Sequence, residues 1–174
     1  IGKAPLFRQT YKAENLKEFS FFLRPTLKNY NSFVHLLDKL LSDNINKKFF
    51  EPGIQLEQKI DRGENAFEIR QKGTLSLLEE WLKVTLRYPN DATRKKEISE
   101  IMSPFKKVRK LREKPAHAID EDKYDEKYDV LQRRLVNNVY KSLLMLRLLF
   151  AKHPKTTGYN KIPKLLLEGK IRNY

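Results

Sequence analysis

Residues 122–152, DKYDEKYDVLQRRLVNNVYKSLLMLRLLFAK, decide the fold class. Tyr128, Leu131, Leu135, Val139, Leu143, Leu146 and Phe150 recur at steps of three and four, the period of an α-helix with one apolar face. A second stripe, Val136, Tyr140, Leu144 and Leu148, lies beside the first. A face that wide is expected to be covered by more than one neighbour, so the helix is either central in its bundle or part of a subunit interface. Asp120, Glu121 and Asp122 precede it, and Lys152 and His153 end it, as the helix dipole favours. Pro154 stops it.

The same period appears three more times upstream. Tyr30, Phe33, Val34, Leu37, Leu40 and Leu41 predict one amphipathic helix running to about Asp43. Thr74 reads as an N-cap before Leu75, Leu77, Leu78, Trp81, Leu82 and Val84, a helix that Pro89-Asn90-Asp91 ends. The third runs over 92–114, with Ile98, Ile101, Met102, Phe105, Val108 and Leu111 inward. Ser103-Pro104 either kinks it or caps a new helix, and Pro115 closes it. Residues 1–14 read as an extended lead-in, although from Asn15 the pattern turns helical through Phe19, Phe22 and Leu23 until Pro25. Between the first two long helices, Ile54, Leu56, Phe67 and Ile69 alternate with polar residues around Asp61-Arg62-Gly63-Glu64-Asn65, which predicts a β-hairpin insertion over 51–72. Irregular loop is the rival reading of that segment. The basic tail, 155–174, holds one short helical pattern, 163–168, capped by Gly169. The expected fold is all-α: an up-and-down bundle of four main helices in a single domain, with a small β-hairpin inserted.

Composition narrows the function. The 174 residues carry 36 Lys and Arg against 22 Asp and Glu, a formal charge of +14, so the expected partner is anionic, nucleic acid before a membrane surface. Cysteine is absent, which excludes disulfides, thiolate zinc sites and a Cys nucleophile. The longest apolar run, 143–151, is short of a membrane span and broken by Arg147. No signal peptide is visible, so a cytoplasmic protein is expected. The chain opens at Ile1 and is expected to have been cut from something longer. No Gly-rich phosphate loop, no Gly-x-Ser-x-Gly and no clustered metal ligands are present, so neither cofactor nor metal is expected.

Charge is unevenly distributed. Residues 101–116 hold six cations (Lys106, Lys107, Arg109, Lys110, Arg112 and Lys114) against Glu113, and 117–129 then hold six acids against two lysines. The plain reading is a solvated helix face; the sharper one is a phosphate-binding strip, since Lys106, Arg109 and Lys110 share one side of a helix. Of three histidines, His35 has the polar neighbours Asn31, Asp38 and Lys39 and belongs to a solvated flank, while His153 suits a helix C-terminus. His117 follows Pro115, which frees it to fold back toward Arg112.

Arg112-Glu113-Lys114-Pro115-Ala116-His117 resembles the Arg-x4-6-His motif of the HEPN superfamily of small helical bundles. Many members are metal-independent ribonucleases of prokaryotic toxin–antitoxin and defence systems. The resemblance covers roughly residues 26–154 without the hairpin, and it departs at Glu113, where active members often carry Asn, Asp or His. It implies catalysis by Arg112 and His117: His117 as acid/base, Arg112 on the scissile phosphate, with Lys106, Arg109, Lys110 and Lys114 steering the RNA. It further implies a homodimer sharing one cleft, and an antitoxin or other protein partner. The alternative is a catalytically silent HEPN-like module for binding nucleic acid or protein, part of a longer chain; a third reading is an unrelated helical nucleic-acid-binding domain.

Overall fold

The computed structural model describes residues 4–8, 25–63, 66–87, 89–113, 124–152, 164 and 168. Among the described residues the protein is mainly helical, with one small antiparallel sheet. Helix α1 (Leu27–Asp38) begins where Thr26, in extended conformation after Pro25, accepts a hydrogen bond from the Asn29 N–H. It passes without a break into one π turn, Lys39–Asp43, whose wider coil ends with the Asn44 N–H donating to the Lys39 carbonyl. A 3₁₀ turn (Lys47–Phe49) follows, then the hairpin of β1 (Glu57–Asp61) and β2 (Phe67–Gln71). Helices α2 (Thr74–Thr85), α3 (Asp91–Glu113) and α4 (Lys127–Ala151) complete the order.

Helix α3 packs against α1, α2 and α4, and α4 also touches α1. Ile98, Ile101, Met102, Phe105 and Val108 of α3 are buried at helical spacing, with Pro104 inside one unbroken helix. Around them lie Val34 and Leu37 of α1, Leu77, Leu78 and Leu82 of α2, and Leu135, Val139 and Leu146 of α4. An aromatic cluster closes one side: Phe49 meets Phe50 and Trp81 edge-on at 5.1 Å, and Trp81 stacks on Phe150 at 5.4 Å.

Several local expectations are corrected. Gly73, not Thr74, caps α2; the Thr74 hydroxyl donates instead to the Ser42 carbonyl (2.8 Å), tying α2 to the π turn. That helix ends at Thr85, and Val84 lies in solvent at 65% exposure. Strand pairing covers only 57–71, because Phe50 and Ile54 are drawn into the core as a turn closed by the Ile54 N–H on the Phe50 carbonyl. Helix α4 starts at Lys127 rather than Asp122, since Tyr124 and Asp125 are held extended against Thr26 and Pro25. Its buried stripe is Gln132, Leu135, Val139, Ser142 and Leu146, so at the start of the helix Gln132 takes the inward place expected of Leu131. The second stripe (Val136, Tyr140, Leu144, Leu148) is half-buried. In the lead-in, Leu6 is buried and its carbonyl accepts the Asn46 N–H (2.8 Å). The helical pattern over 15–23 and the tail pattern over 163–168 fall on residues outside the described ones, apart from Lys164 and Glu168. Among the described residues, no helix is long and apolar enough to cross a membrane.

Candidate functional site

The candidate site is built on a buried carboxylate. Asp38 is the last residue of α1, and its side chain is fully shielded from solvent. It sits on the apolar stripe, four residues after Val34 and three before Leu41, so the helix that buries those two buries it as well. One turn later the Ser42 hydroxyl donates to Asp38 Oδ1 at 2.7 Å.

The other partners come from α3. Arg109 and Arg112, three apart and therefore on one face, both reach α1. Arg109 Nε donates to Asp38 Oδ1 at 3.1 Å and Arg112 Nη1 to Asp38 Oδ2 at 2.5 Å. Asp43, at the end of the π turn, flanks the pair, with Arg109 Nη2 at 3.5 Å and Arg112 Nη1 at 3.7 Å. Burial alone would raise the Asp38 carboxyl, but hydrogen bonds from Arg112, Ser42 and Arg109 outweigh it and hold Asp38 below its ordinary value. Arg112 is raised, chiefly by its hydrogen bond to Asp38. Two cations thus face two carboxylates, and the pair is held rigid by a group that cannot leave the core. Each arginine side chain remains about one-third exposed, 33% for Arg109 and 34% for Arg112. Among the described residues, Arg112 meets both carboxylates through Nη1.

The expected strip therefore divides. Arg109 and Arg112 turn toward α1, whereas Lys106 turns toward α2 and pairs with Glu79 Oε2 at 2.6 Å. Burial works to raise Glu79, but Lys106 and then Lys83 keep it below its ordinary value. Lys106, Lys83, Arg94 and Lys95 rim a groove of about 420 Å³ between α2 and α3, floored by Ile98 and Met102. Lys107 and Lys110 are exposed and make no ion pair among the described residues. Lys114 and His117 lie outside the described residues, so of the Arg112–His117 pair only the arginine is placed. His35 is exposed on α1. Among the described residues no group of three or more His, Asp or Glu side chains is placed to hold a metal ion.

Asp38 is the member that sequence reading misses. Its place among the polar neighbours of His35 suggests a solvated flank, although its spacing from Val34 and Leu41 puts it on the inner stripe. A charged residue at an inward position, with two arginines three apart on another helix, is the signal that could have found it. Comparison with family models, curated proteins and solved structures finds no match.

Proposed function

We propose that the protein is an RNA-binding, HEPN-like up-and-down helical bundle that cleaves RNA without a metal ion. In this reading Arg112 holds the scissile phosphate and His117 moves the proton. The observation that carries it is the anchoring of Arg112. The arginine of the motif is not a free surface side chain; a buried carboxylate fixes its Nη1, and about one-third of the side chain is still exposed. A cation oriented in advance stabilises the charge developing on a phosphorane at no cost in reorganisation. Removal of the 2′-hydroxyl proton and protonation of the leaving 5′-oxygen need a base and an acid, and two copies of His117 across a dimer supply both. The products are a 2′,3′-cyclic phosphate and a 5′-hydroxyl. Lys107 and Lys110 (beside Arg109) and Lys106 would draw in the strand.

A second reading has its own support. Asp38 and Asp43 balance the charge of Arg109 and Arg112, which is what a structural ion-pair cluster would show, and Glu113 adds a further negative charge beside Arg112. In that reading the domain binds RNA or a protein partner and does no chemistry.

Both readings on RNA require the outer lysines, and binding is tested first. The logarithm of RNA affinity should fall linearly with the logarithm of salt concentration. Reversing Lys107 and Lys110 to Glu should flatten that slope by about 0.7 for each phosphate of a single strand that is no longer neutralised. These two side chains make no described ion pair, so melting curves should be unchanged. Affinity indifferent to salt, or an unaltered slope in the double variant, would remove RNA as the partner of this face.

A further inference from the structure

The hairpin reaches the bundle through its base, where Lys72 Nζ meets Glu80 Oε2 of α2 at 2.7 Å. Its sheet has two strands only, so among the described residues both outer edges are unpaired. Which backbone groups point outward follows from the ladder. The Arg62 N–H donates to the Ala66 carbonyl and the Lys72 N–H to the Leu56 carbonyl. With Gln58 opposite Arg70 and Ile60 opposite Glu68, the bonded pairs alternate along the ladder. Phe67, Ile69 and Gln71 therefore turn their N–H and C=O groups to the open edge of β2. The same strand exposes two large apolar side chains, Phe67 at 64% and Ile69 at 63%. Such an edge is a template for another strand.

The order of charges selects the strand. Two antiparallel copies of β2 can meet with Ile69 on the two-fold axis. Ile69 then faces Ile69, Phe67 faces Gln71, and all the outward backbone groups are opposite one another, giving about six hydrogen bonds. In that register Glu68, which already meets Arg62 and Arg70 of its own hairpin, faces Arg70 of the second copy, twice, at the close non-hydrogen-bonded positions. A shift of one step brings Glu68 against Glu68 in one direction; in the other it sets Arg70 against Arg70 between two Glu68–Lys72 pairs, with Lys72 already engaged by its own Glu80, and in both it loses one bonded pair. A further step the second way sets Arg70 against Lys72. The edge of β1 carries Glu57, Lys59 and Asp61 and offers no exposed large apolar side chain. Apolar burial and charge order thus favour the same edge and the same register.

We infer that the outer edge of β2 is a self-association surface, at which a second copy of this chain adds its own β2 to form a four-stranded sheet centred on Ile69. This surface is separate from α3, and the charge-swap variants test it alone: unchanged masses for Glu68→Arg and Arg70→Glu would sink it while leaving the shared-cleft dimer of the ribonuclease reading in place, whereas a monomeric wild type would sink both. The test is sedimentation velocity of wild type, Glu68→Arg and Arg70→Glu, each alone and in equimolar mixture. Wild type should dimerise. Each variant alone places like charges opposite each other and should dissociate with a Kd at least about tenfold higher, by the usual size of cross-strand charge effects. The mixture should recover the dimer, because the arginine introduced in one variant then faces the glutamate introduced in the other; recovery also shows that both variants fold. A monomeric wild type, variants that dimerise as wild type does, or a mixture without recovery would each overturn the inference.

Discussion

Replacing Arg109 and Arg112 together by methionine should lower folding stability by about 3–5 kcal/mol, the usual cost of leaving a buried charge uncompensated. Asp38 would keep only the Ser42 hydroxyl as a partner while remaining fully buried. Each arginine side chain is about one-third exposed and so partly screened by water, which places the loss toward the lower end. Asp38→Asn should cost less, about 1–3 kcal/mol, since the stranded cations can turn to solvent. Combining all three substitutions should recover part of the loss, because the groups form one network and their effects are not additive. Urea unfolding of the single, double and triple variants measures each quantity. Acid exposes the same network. The folded-state pKa of Asp38 is lowered, so its stabilisation is complete above its ordinary value near about 4 and is lost as pH falls through the folded value. Asp38→Asn should therefore show a shallower loss of stability below about pH 4 than wild type. Parallel acid limbs would mean that Asp38 does not carry the charge assigned to it.

Helical periodicity carries most of what is legible in the sequence. The stripes of α1 and α3, and that of α2 up to Leu82, follow from apolar spacing, because burial of one face is what forms those helices; Val84 in the last turn of α2 does not. Boundaries and exceptions are harder. Helix α4 begins five residues later than its acids suggest, since the backbone of Tyr124 and Asp125 is engaged with the chain before α1, a pairing no local pattern records. Gln132 and Ser142 occupy inward positions that polarity argues against. Thr74 has the chemistry of a cap, but its hydroxyl finds the Ser42 carbonyl, 32 residues away, a better acceptor in the folded chain. Of the site, Arg109 and Arg112 are visible as cations on one helix face. Their restraint by Asp38 is not, because a residue that looks solvated between His35 and Lys39 is buried only once α3 is packed against α1.

His117→Ala is the substitution with the largest expected effect on activity. General acid/base help is worth about 10²–10⁴ in rate, and its loss should leave RNA affinity nearly intact, since in the proposed reading the phosphate contacts fall to the lysines of α3. Arg112 is a less direct probe, because its removal also releases Asp38. Arg112→Lys keeps a cation beside that carboxylate while losing the planar guanidinium, so it should slow cleavage by about 10² with a smaller loss of stability than Arg112→Ala. The most direct measurement is cleavage of an end-labelled RNA in EDTA by wild type and His117→Ala, with binding and melting curves run alongside. Wild type should cut and leave cyclic-phosphate ends, and the variant should bind equally, melt equally and cut about 10²–10⁴ times more slowly. Equal cutting by both proteins, or binding by both with no cutting by either, would contradict the ribonuclease account and leave the binding module in its place.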